Sequence, residues 1–389
     1  MPKLSPTKTI GKLIDQLKRI LPHNESGLHD PILNGDEFKY LKDCINTNYV
    51  STAGKYVDRF ENKLQNYTGA KYAVATNSGT SALHIALLVS GLKPSDEVLV
   101  PSLTFVATIN AIKYCSAVPH FVDCEYDTFG VNPDKLNEYL CKITEFKNGI
   151  LINKNTGARI HSLIPVHLYG HPVQIGALLE IAQKYSIQVI EDAAESLGSF
   201  YNKTHTGLFG RLGILSFNGN KIITTGAGGA ILTNNAKDAE LARHLTTTAK
   251  CLGTNSYFHD MVGYNYKMAN INASIGCAQI EKIDSILENK RKILDSYSAN
   301  IENLHWHLKL EPKNCSSNYW MQLLVLKKDF SKFRDRIVQD FNKNGIGSRT
   351  CWSLTSEFPM FKDCPSMDLS ISKGISDSVI NLPSNFIND

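Results

Sequence analysis

Two residues that can act together on a carbonyl compound, Asp192 and Lys221, follow one another along the chain. Asp192 follows Val189-Ile-Glu191 at the end of a predicted strand, and Lys221 stands just before a glycine-rich turn at 226–229. A lysine amine attacks a carbonyl only when it is neutral, and its pKa falls readily in a desolvated site. A carboxylate can hold a proton on a pyridine nitrogen and so make the ring an electron sink. The pair therefore indicates an aldehyde cofactor, pyridoxal 5'-phosphate (PLP), bound to Lys221 as a Schiff base.

A phosphate-binding turn is predicted upstream of this pair, at 77–81. The sequence Asn-Ser-Gly-Thr-Ser lies between a strand and a helix, so Gly79, Thr80 and Ser81 can present N–H groups at a helix N-terminus. The same residues can simply cap the helix. Asp192 alone can equally bind Mg²⁺ or a ribose hydroxyl, or cap the next helix. In order along the chain, the three features favour a PLP site. No Walker A loop and no dinucleotide glycine fingerprint is present, which argues against a nicotinamide-dependent sugar dehydrogenase.

These residues need a scaffold, and the alternation of elements between about residue 70 and residue 250 predicts one. Short apolar strands alternating with helices are typical of a mostly parallel sheet covered on both faces, whose ligands bind at the carboxyl ends of the strands. The predicted strands are Lys71–Thr76, Glu97–Val100, Pro119–Val122, Leu163–Val166, Gln188–Ile190, Ile214–Phe217 and Ala230–Thr233. The predicted helices are Ser81–Ser90, Thr108–Tyr114, Ile175–Tyr185, Lys237–Leu245 and a long one over Asn272–Asn300. A second, smaller α+β unit follows, with the strand Tyr319–Leu326, the helix Ser331–Asn342 and the short strand Gly345–Thr350.

Composition narrows the class of protein. Charged residues make up 20%, hydrophobic ones 42%, and the net charge is only +4, with basic and acidic residues interspersed. This pattern predicts no nucleic-acid partner. The basic, amphipathic segment 10–21 fits either a membrane-surface helix or a helix docked on the body, and we favour docking. Nine scattered cysteines without a Cys-x-x-Cys pair, no signal-peptide core and no spanning apolar run predict a cytoplasmic protein without a metal site or a membrane segment.

Beyond these features, the chain resembles the sugar-nucleotide aminotransferases of the DegT type, within the fold-type I PLP enzymes, from about residue 30 onward. The stretches that carry the resemblance are 54–61, 77–83, 100–108, 165–170, 191–195, 216–221 and 263–266. Four further stretches are similar to the legionaminic acid and bacillosamine branch: 155–160, 195–201, 244–250 and 381–384. The resemblance implies a large domain with a mostly parallel seven-stranded sheet between helices, plus a smaller C-terminal α+β domain. The expected division is an N-terminal extension at 1–34, a PLP-binding domain at 35–285 and a small domain at 286–389.

The resemblance also implies roles for individual residues. Lys221 would bind the cofactor and shuttle a proton, Asp192 would pair with the ring nitrogen, and Glu195 would lie near the phenolic oxygen of the ring. His167 aligns with a histidine near the cofactor, although a hydrogen-bonded histidine at a strand end is an equal alternative. The remaining cofactor contacts implied are Gly79, Thr80, Ser81 and Ser216 at the phosphate, Phe105 stacked on the ring, Asn220 beside the lysine, and Asn265 reaching the phosphate of a neighbouring subunit. A homodimer with shared active sites follows from the last of these.

The expected reaction transfers an amino group from L-glutamate to the C4 ketone of a nucleotide-linked 4-keto-6-deoxy sugar, with pyridoxamine 5'-phosphate as the form between the two halves. The expected acceptor is UDP-2-acetamido-2,6-dideoxy-4-hexulose; the alternatives are an enzyme like GDP-perosamine synthase, or one forming a dTDP- or UDP-4-amino-4,6-dideoxyglucose. Expected sugar-nucleotide contacts are Ser51, Lys250, Tyr319 and Arg349. Ala227 replaces an acid common in relatives, and Ser348-Arg-Thr350 replaces Thr-Arg-Pro. A sibling group with histidine for lysine removes the C3 oxygen instead, and a non-catalytic protein on this scaffold would lack Lys221 or Asp192.

Overall fold

The computed structural model describes residues 5–21, 27–251, 258–301 and 304–384. Its α-helices are α1 (Pro6–Ile20), α2 (Glu37–Asn46), α3 (Lys55–Thr68), α4 (Gly79–Val89), α5 (Val106–Tyr114), α6 (Pro133–Ile143), α7 (Ile175–Lys184), α8 (Ala236–Thr246), α9 (Asn270–Ile280), α10 (Ile283–Asn300), α11 (Arg334–Lys343) and α12 (Ser370–Ser376). Its strands are β1 (Tyr72–Thr76), β2 (Glu97–Pro101), β3 (Val118–Val122), β4 (Thr144–Lys147), β5 (Ile150–Asn153), β6 (Ile160–Leu163), β7 (Gln188–Asp192), β8 (Phe200–Tyr201), β9 (Thr204–His205), β10 (Leu212–Ser216), β11 (Gly229–Thr233), β12 (Trp306–Leu308), β13 (Cys315–Ser316), β14 (Gln322–Leu326), β15 (Arg349–Thr350) and β16 (Val379–Leu382).

The large unit is built on a seven-stranded sheet in the order β1-β11-β10-β7-β6-β2-β3. Only β11 runs antiparallel to its neighbours, so the predicted fold class is confirmed. Since β1, β10 and β7 run in the same direction, their last residues Thr76, Ser216 and Asp192 lie at one edge of the sheet. This edge is where a parallel sheet presents its ligand-binding loops.

Both faces of this sheet are buried. Successive residues point to opposite faces, so Ile214 packs into the cluster under α4, α5 and α8 while Leu215 packs under α3 and α9. On the far strands, Leu99 joins a third cluster with α6 and α7. Strands covered on two sides have near-continuous apolar runs, which explains why the sequence revealed them as uninterrupted rather than alternating patterns.

Four predicted elements differ from the structure. The short strand predicted over Gly345–Thr350 is β15, which covers only Arg349–Thr350. The strand predicted at Leu163–Val166 is β6, which ends at Leu163, because Pro165 has no N–H to continue the ladder. The long helix predicted over Asn272–Asn300 is two helices, α9 and α10, separated at 281–282. The strand predicted from Tyr319 begins at Gln322, because Tyr319 has φ +47°, a left-handed conformation that a strand residue does not adopt.

The smaller unit is a four-stranded antiparallel sheet in the order β12-β14-β16-β15. Helix α1 packs on it together with α10 and α11, which confirms docking of the N-terminal helix on the body. Helix α10 begins in the core of the large unit with Ile283 and continues into this core with Ile293 and Tyr297. We propose that the two domains divide within α10, next to the expected boundary at residue 285. No helix among the described residues is long and apolar enough to span a membrane.

Truncating the buried face of α1 should destabilise the small unit. Leu13 is fully buried against it, so Leu13→Ala should lower the free energy of unfolding by about 2–5 kcal/mol through lost burial and a residual cavity. Urea unfolding followed by circular dichroism measures this. Lys12→Ala on the exposed face is the matched control and should change stability by less than about 0.5 kcal/mol.

Candidate active site

A cavity of about 1130 Å³ opens at the carboxyl edge of the large sheet, between that sheet and the small unit. It exceeds the roughly 300–1,000 Å³ of most ligand pockets, so it has room for more than one small molecule. Nine of the residues singled out from the sequence line it: Gly79, Thr80, Phe105, Asp192, Glu195, Ser216, Asn220, Lys221 and Arg349.

The N-terminus of α4 forms one wall. Ser78 caps the helix, with its Oγ accepting from the N–H of Ser81 at 3.0 Å and lying 2.8 Å from the hydroxyl of Ser81. Ser81, held by this cap, does not line the cavity, whereas the two residues before it, Gly79 and Thr80, do. A Cβ on Gly79 would lie 2.9 Å from the Cβ of Ser216. Glycine therefore leaves the helix terminus, with its unpaired N–H groups and positive dipole end, accessible beside a hydroxyl.

Asp192 is the last residue of β7 and only 7% exposed. Its Oδ2 accepts a hydrogen bond from the Thr108 hydroxyl at 2.7 Å, and its Oδ1 accepts from the N–H of Ala194 at 3.1 Å. Two donors fix the carboxylate at the cavity wall without neutralising it. Such a carboxylate can hold a cationic N–H group of a ligand.

Lys221 and Glu195 form an ion pair inside the cavity. The Nζ of Lys221 is 3.2 Å from Oε1 of Glu195, and Oε2 of Glu195 accepts from the N–H of Tyr169 at 2.7 Å. Burial raises the pKa of Glu195, while the Lys221 charge and the Tyr169 N–H oppose that rise. The site thus places one amine between a partly desolvated carboxylate and the open cavity.

Three aromatic side chains that were not among the expected site residues, Trp320, Tyr169 and Trp352, form part of the wall together with the expected Phe105. The Trp320 ring lies under Lys221, with Nζ 4.0 Å from its centroid. Tyr169 stacks on Trp320 at 6.3 Å and on Trp352 at 4.8 Å, and Phe105 lies 5.9 Å from Trp352. The sequence signal for this wall was the aromatic pair Tyr319-Trp320. The sequence analysis selected Tyr319 as the ligand contact, but Trp320 is the one that lines the cavity.

Tyr319 lies outside the cavity lining because its left-handed backbone turns it the other way. Its ring packs edge-on against His171 at 5.5 Å, and its hydroxyl accepts from the N–H of Glu311 at 2.9 Å. His167 is also elsewhere: it is fully buried, with Nε2 bonded to Glu191 at 3.0 Å and Nδ1 accepting from the N–H of Val173. The structure therefore favours the alternative of a hydrogen-bonded histidine at a strand end.

Ser51, Lys250 and Asn265 are exposed and do not line this cavity. Asn265 pairs with Thr247 in an isolated bridge, close to the turn that precedes α4, where its carbonyl accepts from the Asn77 amide at 3.4 Å. Its position at the surface beside the phosphate turn is compatible with a contact to a second subunit.

Comparison with known proteins places this geometry in a family. The model of the DegT/DnrJ/EryC1/StrS aminotransferase family matches residues 31–386. The chain belongs to this family. The aminotransferase is 34% identical over 358 residues to the GDP-perosamine synthase of Vibrio cholerae, covering 92% of this chain and 93% of that one. It is 35% identical over 359 residues to the GDP-perosamine synthase of Caulobacter vibrioides, covering 91% of each.

A third relative and two solved structures complete the comparison. A Bacillus subtilis protein provisionally named a pyridoxal phosphate-dependent aminotransferase is 36% identical over 341 residues, covering 87% of this chain and 84% of that one. The fold matches Helicobacter pylori PseC, an aminotransferase of pseudoaminic acid biosynthesis, with a TM-score of 0.82 at 20% identity over 92% of this chain and 93% of that one. It matches DesI with its TDP-sugar product at a TM-score of 0.81 and 22% identity, over 92% and 87%. None of the three relatives is named for legionaminic acid or bacillosamine.

The protein is a PLP-dependent sugar aminotransferase, and its cavity fits the cofactor. A phosphate would be held by the α4 N-terminus and the Ser216 hydroxyl, at the approach that Gly79 keeps open. Asp192 offers a carboxylate for a protonated ring nitrogen, and Lys221 offers the amine for an aldehyde. All of these groups line the same cavity.

Reducing the space between Gly79 and Ser216, where the phosphate would bind, should weaken cofactor binding. Gly79→Ala places a methyl group 2.9 Å from the Ser216 Cβ, closer than carbon atoms normally approach, so the wall must shift at a cost of about 1–3 kcal/mol. We expect the dissociation constant for PLP to rise about ten- to a hundredfold, measured by titrating the cofactor-free protein and following visible absorbance. Gly11→Ala, which has open space around its Cβ, should leave the constant unchanged.

Proposed function

We propose that the protein transfers an amino group from L-glutamate to the C4 ketone of a nucleotide-linked 4-keto-6-deoxy sugar. The observation that carries this proposal is the single cavity in which Lys221, Asp192 and the α4 N-terminus meet. When bound, PLP supplies an aldehyde for the amine and a ring that takes up electrons released at the substrate carbon.

The roles of the protein side chains follow from their positions. Lys221 carries protons on its Nζ between substrate carbon and cofactor, which requires a neutral amine at the moment of transfer. The Glu195 carboxylate, 3.2 Å away, forms an ion pair with that amine when the amine is protonated. Asp192, held by Thr108 and Ala194, keeps the proton on the ring nitrogen. The walls of the cavity limit access of water to these groups.

The cavity has room for a sugar nucleotide beside the cofactor. The small unit contributes part of its wall, including Arg349, Trp352 and Asn381. The exposed guanidinium of Arg349 can pair with a diphosphate or a carboxylate, since arginine recognises both with parallel hydrogen bonds. Ser51 and Lys250 remain proposed contacts from outside this lining.

We favour a GDP-linked acceptor, because relatives at 34% and 35% identity over nine-tenths of the chain are named GDP-perosamine synthases. A UDP-linked 2-acetamido sugar is the second candidate, supported by the stretches at 155–160 and 381–384 that resemble the legionaminic acid and bacillosamine branch. A dTDP-linked sugar is the third. The product in each case is a 4-amino-6-deoxy sugar nucleotide for surface glycan synthesis; from the UDP-linked candidate it also carries the 2-acetamido group.

We further propose a homodimer with shared active sites. Asn265 is exposed beside the phosphate turn, and the exposed apolar side chains Phe258, Met261 and Val262 precede it in the chain. Apolar side chains clustered at a surface mark interaction sites. Sedimentation equilibrium should give twice the mass of one chain, and Asn265→Ala should lower PLP affinity in the dimer.

The deciding experiment incubates the protein with L-glutamate and a panel of GDP-, UDP- and dTDP-linked 4-keto-6-deoxy sugars, with products identified by mass and NMR. Formation of a 4-amino sugar nucleotide and 2-oxoglutarate is expected from the GDP-linked member. Amination of the UDP-linked member alone would select the second candidate. No amine transfer to any member would reject the proposal.

A further inference from the structure

Trp320 contacts the reactive amine directly, although the proposed reaction gives it no role. The Nζ of Lys221 lies 4.0 Å from the centroid of its indole ring, well within the distance at which an ammonium group is attracted to an aromatic face. The indole is 2% exposed, and such an attraction strengthens when water is excluded.

The indole also holds the backbone next to the lysine. Its Nε1–H donates to the carbonyl of Asn220 at 2.6 Å, and Asn220 immediately precedes Lys221. One side chain therefore fixes both the start of the lysine side chain and its amino end.

The side chain of Asn318 links the backbones of Trp320 and Glu195, the residues whose side chains contact the amine. The Asn318 Oδ1 accepts from the Trp320 N–H at 2.8 Å, and its Nδ2 donates to the Glu195 carbonyl at 2.8 Å. The Trp320 carbonyl in turn accepts from the buried Lys290 at 3.2 Å. A site whose parts are held this way keeps its geometry when the amine leaves and returns.

Burial also shifts the pKa values of other titratable groups around the indole. Burial lowers the pKa of Lys290 well below its usual value, and burial lowers that of His29, whose ring lies edge-on to Trp320 at 6.4 Å, in the same direction. Tyr169 stacks on the indole from the cavity side, and burial raises its pKa well above the usual value, so it remains neutral. Asp192 and Glu195 supply the negative charge at the cavity wall.

We propose that Trp320 is a positioning residue for Lys221: its indole face and the Glu195 carboxylate form a resting place for the Lys221 amine whenever that amine is not bonded to the cofactor. In a transamination the lysine amine is released from the cofactor during each of the two half-reactions and must remain close enough to act on it again. A fixed aromatic face and one carboxylate keep the free amine next to the reacting carbon and favour its charged form. This inference rests on the proposed role of Lys221.

The test measures the pKa of Lys221 in the pyridoxamine form and in the cofactor-free protein, by trace labelling with acetic anhydride across a pH series and mass spectrometry of the Lys221 peptide. Trp320→Leu removes a stabiliser of the ammonium, so the pKa of Lys221 should fall by about 0.4–1.5 units. Trp320→Phe, with a weaker aromatic face and no N–H for Asn220, should give a smaller fall. Trp352→Leu, in the same cavity but away from the amine, should give none.

An unchanged pKa of Lys221 in a folded Trp320→Leu protein would overturn the inference. If that variant does not fold, Trp320→Phe decides, and an unchanged pKa there has the same meaning. Failure of the proposed function gives a different result: the wild-type protein would transfer no amine from L-glutamate to any sugar nucleotide of the panel, while the coupling between Trp320 and Lys221 would still be measurable in the cofactor-free protein.

Discussion

Replacing Lys221 with alanine should lower turnover by roughly 10²–10⁴-fold or more, the range that a positioned proton-transfer group supplies, and should abolish the absorbance of the Schiff base between the lysine and PLP. The reason is the position of the amine: it is the lysine whose Nζ lies inside the cavity, 3.2 Å from Glu195. Borohydride reduction followed by peptide mass analysis should locate the cofactor on Lys221 in the wild-type protein only.

Two further variants make this test specific. Lys221→Arg keeps the positive charge, but a guanidinium does not lose its proton in a protein, so it cannot attack an aldehyde and should be as inactive as alanine. Lys237→Ala, at the exposed start of α8, is the matched control and should retain wild-type activity. Full activity in Lys221→Ala would remove the basis of the proposed mechanism.

The central sheet and the core of the site were accessible to sequence reasoning because both depend on local signals. Strands buried on two faces appear as apolar runs, and the residues after them face the same edge of the sheet. Asp192 could therefore be placed at this edge before its contacts were known, whereas Ser216 was expected in the site only from the resemblance to the family. Gly79 and Thr80 were placed by the same rule, from the turn between a strand and a helix.

The aromatic wall could not be predicted because it depends on backbone conformation and on packing between the two units. The left-handed backbone of Tyr319 decides that Trp320, and not Tyr319, faces the amine. Likewise, His167 and Glu191 are 24 residues apart, too far for a local sequence pattern to link them, yet their side chains pair in the core at 3.0 Å. Such pairings are set by strand register and not by the residues adjacent to each side chain.

Asp192→Asn should lower turnover by about 10³-fold while leaving the fold intact. Opposite unit charges about 4 Å apart attract by about 4 kcal/mol at an effective dielectric constant near 20. If Asp192 pairs in this way with a protonated ring nitrogen and the charge matters only in the transition state, its loss corresponds to a rate factor of about a thousand. An asparagine amide has the same shape, and its single oxygen can accept from the Ala194 N–H while its NH₂ group donates to the Thr108 hydroxyl oxygen, so both contacts are kept and the charge is lost.

The control for Asp192→Asn is Thr108→Val, which removes the donor at 2.7 Å from Oδ2 but keeps the charge. Losing one hydrogen bond to a charged group costs about 1.5–3 kcal/mol, so this variant should lose about ten- to a hundredfold in turnover, less than Asp192→Asn. Steady-state kinetics with L-glutamate in excess measure both, and unfolding curves confirm that each protein is folded. If Asp192→Asn keeps turnover within about threefold of wild type, the ring nitrogen needs no charged partner and Asp192 has only a structural role. If both variants lose turnover equally, the hydrogen bond that orients the carboxylate matters as much as its charge.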